Sequence, residues 1–286
     1  MRKYADLLRV QQWYKNLVVF LALFFTNNLL NLDYLFETIL GFVSLCLVSS
    51  SYYILNDIKD VEGDRLHPEK KNRPIASGKV TVFEAYATSL VLFASSVFIA
   101  YYLSPVFLFF VLALFISSTL YSVWLKRIAF IDIHVIAFNF LLRAVSGAFL
   151  ISVPASAWLI STVFFLALVL ALSKRRVELS LLGGNAIQHK AVYEVYSRDL
   201  LDRLMFLCAA ILLVNYSLYT IEVHEGGAMM LTIPFATFIV FRYLYLSREN
   251  HVLARKTHLV FTDPQILASL FLWISVSFII LNLVGP

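Results

Sequence analysis

Four side chains with oxygen atoms stand close together in the sequence at the end of an apolar run, where they could hold a divalent cation. The stretch YYILNDIKDVEGDRL carries Asn56, Asp57, Asp60 and Asp64 in the pattern NDxxDxxxD. On one continuous helix the three aspartates would share a face, where like charges repel unless a cation lies among them. Oxygen ligands suit Mg²⁺, which proteins usually hold through one or two carboxylates together with substrate phosphates. The pattern therefore predicts a metal site at the three aspartates, supported by Asn56.

A cluster of cations follows these aspartates at once, with Arg65, Lys70, Lys71 and Arg73 in the next residues. A metal that bridges carboxylates to a diphosphate, with cations on the remaining phosphate oxygens, needs this order of charges. The competing interpretation is a solvated helix end at a membrane surface, which requires no ligand.

A second cluster of charges ends a later apolar run, at ALSKRRVELS. On a helix, Lys174, Arg175 and Glu178 would lie near one another, and Arg176 would point away. The three could bind a phosphate. They could also be basic residues at a membrane boundary, with an ordinary Lys174–Glu178 pair four residues apart. For Arg176 the boundary role is favoured.

One polar stripe runs along the preceding apolar segment and contains Asp132, Asn139, Arg143 and Ser146. Asp132 and Arg143 would be about 16 Å apart along a helix, too far to pair directly. A charge such as Arg143 in the middle of a membrane is costly unless it faces a cavity or the interior of a helix bundle. The stripe is therefore either part of a ligand site or a structural polar network.

The elements that must position these residues are membrane helices. Of 286 residues, 60% are hydrophobic and 14% are charged, and the mean hydropathy is +0.81. Soluble domains are about one quarter charged, and a helix needs about 20 apolar residues to cross a bilayer. Nine apolar runs are predicted to be such helices: 17–31 (short), 36–55, 82–103, 105–125, 128–151, 155–173, 204–222, 229–246 and 264–284.

The positive charges orient these helices. All but one of the 23 Lys and Arg residues fall in alternate gaps between the runs, and the exception is Arg143. Because cytoplasmic loops carry the excess of Lys and Arg, we predict a multi-pass protein of the cell (inner) membrane whose N-terminus and active site are cytoplasmic. The same bias explains the net charge of +5 without a nucleic-acid partner. An oligomer is possible, since the sequence leaves the oligomeric state open.

The segment NDIKDVEGDRLHPEKKNRPIASGKV resembles the first signature of the UbiA superfamily of intramembrane prenyltransferases, and YSVWLKRIAFID resembles the Tyr/Lys segment that follows it. The resemblance implies an all-α membrane fold of nine transmembrane helices around a central cavity with a cytoplasmic cap. It also implies a single transmembrane domain over residues 1–286 and Mg²⁺ as the cofactor.

Two features differ from typical members of that superfamily. Where those carry a second aspartate-rich motif after the sixth helix, this chain reads SKRRVELS, and its opening reads RVQQWYKN. Both are similar to the decaprenyl-phosphate phosphoribosyltransferase branch, which opens with a relative of RPxQWxKN and carries a KRxxE element; Val10 replaces the usual proline. The resemblance implies transfer of 5-phosphoribosyl from phosphoribosyl pyrophosphate to a polyprenyl (decaprenyl) phosphate, with release of diphosphate, for synthesis of the arabinose donor of the cell wall.

In that scheme Asp57, Asp60 and Asp64 bind the Mg²⁺–diphosphate, and the apolar bundle holds the polyprenyl tail. The basic second cluster would take the 5-phosphate of the sugar or the phosphate of the lipid, and Glu178 would take ribose hydroxyls. The other residues assigned to the substrate site are Arg9, Gln12, Lys15, Asn16, Asn56, Arg73, Tyr121, Lys126, Arg143, Lys174, Arg175 and Glu178.

Two other functions stay open. A prenyltransferase could join a prenyl diphosphate to an aromatic acceptor, although the missing second acidic motif counts against it. A non-enzymatic lipid-binding or transport protein is the third possibility. Against it, three clustered carboxylates would have no use there, and no matching pair of broken helices occurs.

Overall fold

The computed structural model describes residues 2–66, 70–182, 191–222, 227–249 and 257–283, and its regular elements there are all helices, as predicted. The α-helices are α1 Arg2–Leu8, α2 Leu21–Phe25, α3 Leu32–Lys59, α4 Val61–Leu66, α5 Val82–Leu103, α6 Pro105–Val123, α7 Ile131–Leu150, α8 Ala157–Leu182, α9 Arg198–Glu222, α10 Ile233–Glu249 and α11 Pro264–Leu283.

Eight helices in the described part of the chain are long and apolar enough to cross a membrane, so the chain is a multi-pass membrane protein. They are α3, α5 to α9, α10 together with the turn before it, and α11. A ninth span is not confirmed. The predicted run at 17–31 contains the end of a 3-10 helix, Val10–Phe20, and then the five residues of α2.

The outward faces of these helices are apolar. On α5, for example, Phe83, Phe98 and Tyr102 are 82%, 72% and 77% exposed. Contiguous apolar surface of this kind is rare on soluble proteins. In a bilayer the same side chains contact lipid, which removes the cost of exposing them to water.

Local sequence signals fix where several helices begin. Asn31 caps α3 by accepting from the backbone N–H of Asp33 at 3.1 Å. Thr81 and Glu84 form a capping box at the start of α5, each side chain accepting from the other's backbone N–H. Extended Ser104 ends α5, and its hydroxyl accepts from the Phe107 N–H at 3.0 Å to begin α6. The break predicted at Ser104-Pro105 is thereby confirmed.

The chain divides into two compact units, and α7 contributes to both. The first unit comprises residues 1–123 and 142–154. Within it α3 packs on α5 through two serine pairs, Ser44 with Ser96 and Ser51 with Ser89. Each hydroxyl donates to the partner's backbone carbonyl at 2.8 to 3.1 Å. Small side chains let two membrane helices approach closely, and the hydroxyls find partners without water.

A second close approach in this unit joins α7 to the 3-10 helix. A Cβ atom added to Gly147 would lie 2.0 Å from the carbonyl oxygen of Val19. Both Val19 and neighbouring Leu142 belong to a buried apolar cluster. The absence of a side chain at Gly147 therefore allows the 3-10 helix to lie against the end of α7.

The second unit comprises residues 124–141 and 155–286. Its core is an apolar cluster to which the first part of α7, α8 and α9 contribute, with Ala137, Leu172 and Leu201 at most 1% exposed. Asn215 on α9 donates to Ser161 on α8 at 2.6 Å. The prediction of one domain over residues 1–286 stays a prediction.

Candidate functional site

Two buried carboxylates in the first unit share one guanidinium group. Nη1 of Arg73 donates to Asp57 Oδ1 at 2.9 Å and to Asp64 Oδ2 at 2.6 Å. Both aspartates are 3% exposed, and Lys70 Nζ lies 3.9 Å from Asp64 Oδ1. Burying two carboxylates is costly unless cations and hydrogen bonds compensate them. The acidic and basic parts of the motif therefore form one charge-balanced cluster.

Asp60, the middle aspartate of the motif, contacts Asn56. Helix α3 ends at Lys59, and Asp60 is its C-cap, so the motif does not lie on one continuous helix as the sequence analysis assumed. Asn56 donates from Nδ2 to Asp60 Oδ2 at 3.2 Å, and Asn56 Oδ1 accepts from Ser122. Asn56 thus links Asp60 to Ser122, and its supporting role at the metal site stays a prediction.

Arg9 brings the opening motif, RVQQWYKN at residues 9–16, to the same cluster. Its backbone is left-handed, with φ 51° and ψ 45°, at the junction between α1 and the 3-10 helix. Its guanidinium lies 5.0 Å from the centre of the Tyr53 ring and pairs with Asp57. The bend at Arg9 turns the side chain towards α3, so this predicted site residue does lie beside the aspartates.

The predicted metal site can be compared with this geometry. In the ranges that the structure describes, no group of three or more His, Cys, Asp or Glu side chains is close enough to hold a metal ion. The donor chemistry still fits Mg²⁺, because Asp57 and Asp64 are hard oxygen donors that already share a cation. A metal ion would compete with Arg73 for these oxygens. The three-carboxylate site stays a prediction.

The other residues of the opening motif lie on different faces of the 3-10 helix Val10–Phe20. With three residues per turn, side chains three apart lie on one face. Asn16 and Val19 are buried, and Gln12 and Lys15 lie on a half-buried face. Trp13, on the face of Asn16, donates to Ser50 on α3 at 3.1 Å. The structure therefore places the candidates Gln12 and Lys15 one turn apart, on a different face from Asn16.

A polar network surrounds the buried guanidinium of Arg143, which is 3% exposed. Its Nε donates to Asn16 Oδ1 at 2.7 Å, and Nη2 donates to the Tyr52 hydroxyl at 2.9 Å. Asn16 in turn donates to Cys46 Sγ at 3.2 Å. Asn16 and Tyr52 thus help to fix Arg143, and the predicted stripe on α7 contributes to a network that includes Asn16 of the RVQQWYKN segment.

Lys15 lies close enough to these groups for its charge to be affected. The groups that act electrostatically on its ammonium group are Tyr52, Arg143 and Arg9.

A second buried charge network lies in the second unit. Arg175 Nε donates to Asp132 Oδ2 at 2.7 Å, and its Nη1 donates to Glu178 Oε2 at 2.9 Å. Asp132 is fully buried and Arg175 is 3% exposed. Asp132 therefore pairs with Arg175.

Two tyrosines that the sequence analysis did not identify complete this network. Tyr196 donates to Asp132 Oδ1 at 2.7 Å, and Tyr193 donates to Glu178 Oε2 at 2.6 Å. Burial raises the pKa of both tyrosine hydroxyls, and so do their carboxylate partners. Both therefore remain protonated hydrogen-bond donors at any physiological pH.

The arginines of the second cluster have acidic partners in the structure. The charge of Arg175 is compensated by Asp132 and Glu178, and Lys174 is exposed. Arg176 pairs with Asp202, where the sequence favoured a boundary role. The cluster is a charge-balanced network because Asp132, on helix α7, supplies a second carboxylate. Asp132 is 43 residues from Arg175 in the sequence, so the pairing could not be predicted from the spacing.

The remaining candidates, Tyr121 near the end of α6 and Lys126 in the turn Leu125–Arg127, are half-buried. Asn139 of the stripe is buried on α7. The residues that sequence reasoning missed are Ser122, Tyr193 and Tyr196. Ser122 lies in the YSVWLKRIAFID segment but was not assigned a role, and the two tyrosines stand in no motif. Their contacts join positions 15 to 66 residues apart, so only packing identifies them.

Comparison with known proteins gives consistent results. The model of the UbiA prenyltransferase family matches residues 16–274. A decaprenyl-phosphate phosphoribosyltransferase from Mycolicibacterium smegmatis is 34% identical over 227 residues, 78% of this chain and 71% of that protein. One from Mycobacterium tuberculosis is 31% identical over 219 residues, 75% of this chain and 72% of that protein.

Among solved structures, a UbiA homologue from Archaeoglobus fulgidus bound to GPP and Mg²⁺ has a similar fold. It superposes with a TM-score of 0.73 at 19% identity, over 98% of this chain and 100% of that chain.

Proposed function

The chain is a member of the UbiA prenyltransferase family, and we propose that it transfers a 5-phosphoribosyl group from phosphoribosyl pyrophosphate to a polyprenyl phosphate such as decaprenyl phosphate. The observation that carries the proposal is the difference between its two charge networks. One brings together Asp57 and Asp64, and the other contains Arg175 and Glu178 in place of a second aspartate-rich motif. The names of the two mycobacterial relatives support the same assignment.

The reaction exchanges one bond to the anomeric carbon for another. A phosphate oxygen of the lipid attacks C1 of the ribose, the bond between C1 and the diphosphate oxygen breaks, and diphosphate leaves with the electron pair. The attacking group is already an anion, so no residue has to remove a proton from it. What the protein must supply is orientation and positive charge on the leaving group.

The first unit has the groups for this task. Asp57 and Asp64, with Asp60, would hold Mg²⁺, which would supply positive charge to the diphosphate leaving group. Arg9 and Arg73 lie beside those carboxylates and would donate to the remaining diphosphate oxygens, as guanidinium groups do at phosphate sites.

The second unit suits the sugar better than a second metal–diphosphate. Glu178 accepts from Tyr193 and Arg175. It can accept further from a ribose hydroxyl, because a carboxylate has about four acceptor positions. Arg175 is held rigidly by Asp132, so its position is fixed before substrate arrives.

The membrane topology also belongs to the proposal. A 3-10 helix rises about 2.0 Å per residue, so Val10–Phe20 and α2 together are about 29 Å long, close to a bilayer core of about 30 Å. We propose that they form the first of nine crossings. The N-terminus and the connections after α3 and α8, which would form the cap, are then cytoplasmic at the inner membrane, and the product serves the cell-envelope arabinose donor.

The alternative is transfer of a prenyl group from a prenyl diphosphate to an aromatic acceptor. The fold similarity to a homologue bound to GPP and Mg²⁺ is the observation that favours it. Both reactions begin with a metal-bound diphosphate, so the first unit would serve either one.

The experiment offers both substrate pairs to the purified protein. With Mg²⁺, we expect label from phosphoribosyl pyrophosphate to enter the lipid fraction when polyprenyl phosphate is present, and EDTA to abolish this transfer. Consumption of a prenyl diphosphate with an aromatic acceptor, and no labelled lipid, would instead establish the alternative.

Matched aspartate variants connect the activity to the site. Asp57→Asn should reduce transfer to background, because it removes a carboxylate that the metal and Arg73 need. Asp33→Asn, at the exposed opposite end of the same helix α3, should leave transfer unchanged.

A further inference from the structure

We infer that Gln12 and Lys15, supported by Arg143, form a binding site for a phosphate monoester, separate from the metal–diphosphate cluster at Asp57 and Asp64. The site lies entirely within the first unit. It rests on the proposed function in one respect: the ester would be one of the two substrates of that reaction.

The first observation is an ammonium group without a protein partner. The Lys15 side chain is half-buried, and within the described ranges it makes no hydrogen bond or ion pair. A partly desolvated ammonium group with three donors is costly unless an acceptor reaches it. Lys15 is therefore arranged to receive an anionic acceptor from outside the protein.

The neighbouring cations behave differently. Arg9 and Arg73 are paired with Asp57. In the second unit, Arg175 is paired with Asp132 and Glu178. These carboxylates reduce the attraction of the arginines for another anion. No carboxylate is among the groups that act electrostatically on Lys15, which are Tyr52, Arg143 and Arg9.

The second observation is the arrangement of donors around Lys15. Gln12 precedes it by one 3-10 turn on the same face, about 6 Å along the axis. Its amide can donate two hydrogen bonds, and within the described residues its side chain also has no hydrogen-bond partner. The two side chains can therefore donate to different oxygens of one tetrahedral anion.

Arg143 adds a positive charge that acts on Lys15. Asn16 and Tyr52 accept hydrogen bonds from its guanidinium and hold it in place. The positive charges of Lys15 and Arg143 favour an anion such as a phosphate monoester, which carries about −2 near neutral pH. No metal ion is needed for this balance, in contrast to the diphosphate site.

The surroundings favour an ester with an apolar group. Val18 lies one 3-10 turn beyond Lys15 on the same face, and the neighbouring Leu17 is 51% exposed. A polyprenyl phosphate presents such a monoester on an apolar chain. The 5-phosphate of the sugar substrate is the other source of the same group, and the test must distinguish them.

The test measures binding without Mg²⁺ and without turnover. Wild-type protein in EDTA is titrated calorimetrically with farnesyl phosphate, with ribose 5-phosphate and with farnesol, which has the same chain and no phosphate. The same titrations are made with Lys15→Gln, with Lys15→Arg and with Lys79→Gln, an exposed lysine in the same unit.

We expect Lys15→Gln to weaken binding of farnesyl phosphate about tenfold or more, the usual effect of losing a charge-assisted hydrogen bond. Lys15→Arg should retain binding within about threefold, since the charge remains. Lys79→Gln should bind as the wild type does, and farnesol binding should not depend on Lys15. A tenfold loss seen with ribose 5-phosphate instead would assign the site to the sugar.

The inference fails if wild-type protein binds neither monoester, or if Lys15→Gln binds both as tightly as the wild type. It also fails if farnesol loses as much affinity as farnesyl phosphate, because the effect would then concern the apolar chain. These results are independent of phosphoribosyl transfer. A protein that binds farnesyl phosphate through Lys15 yet transfers no ribose would refute the proposed function and retain this site.

Discussion

Asp132 has no exposed surface, so its charge is tolerated only through the hydrogen bonds from Arg175 and Tyr196. Removing one partner of a buried ion pair leaves the other uncompensated, at a cost of about 3 to 5 kcal/mol. Asp132→Asn should therefore lower the thermal midpoint of the purified protein strongly. Tyr196→Phe, which removes one hydrogen bond worth about 1 kcal/mol, should lower it much less. Equal midpoints for Asp132→Asn and wild type would refute this role of the pair.

Residue chemistry was partly predictable from the sequence. Clustered charges stand out in an apolar chain, and this identified Asp57, Asp64 and Arg175. Their partners were not predictable in the same way. Arg73 is 16 residues from Asp57, and Asp132 is 43 residues from Arg175. Which of many charges meet is decided by how helices pack, so the predicted basic second site became a balanced network.

Among the elements, the 3-10 helix Val10–Phe20 depends on Gly147. Gly147→Ala would bring a methyl group to 2.0 Å from the Val19 carbonyl oxygen, so the 3-10 helix would have to move away from α7. Such overpacking costs about 1 to 3 kcal/mol, and it should also disturb the Asn16–Arg143 hydrogen bond. We expect a lower thermal midpoint and a higher KM for the polyprenyl phosphate.

The control is Gly63→Ala in α4, where an added Cβ would have no neighbouring atom within 4 Å. It should leave both quantities close to the wild-type values. If Gly147→Ala behaves like Gly63→Ala, the close approach of the two helices does not matter for the site.

Element boundaries followed the sequence where caps and breaks define them, as at Thr81 and at Ser104-Pro105. They did not follow it at the N-terminus. The run 17–31 is apolar, but hydropathy does not distinguish an α-helix from a 3-10 helix. The 3-10 helix Val10–Phe20 is held in the structure by the contacts of Trp13 and Asn16. The conformation of that segment determines which face Lys15 occupies, so this part of the site required the structure.

For the whole molecule, the distribution of Lys and Arg predicts the orientation. A single cysteine at Asp33, in the first turn of the first long span α3, should react with a membrane-impermeant maleimide from outside the cell. One at Ser77, between the first two long spans, should react only after the membrane is opened. The native Cys46 and Cys208 are buried and should give little background. The reverse pattern of labelling would contradict the cytoplasmic N-terminus.

The central claim is that the ribose moves to the lipid and the diphosphate does not. The most direct measurement gives the protein polyprenyl phosphate, Mg²⁺ and phosphoribosyl pyrophosphate that carries ¹⁴C in the ribose and ³²P in the β-phosphate. We predict that ¹⁴C is recovered in the lipid fraction and ³²P in aqueous diphosphate, in equal molar amounts. Ribose label that remains in water while the lipid phosphate is consumed, or ³²P that enters the lipid, would contradict the account.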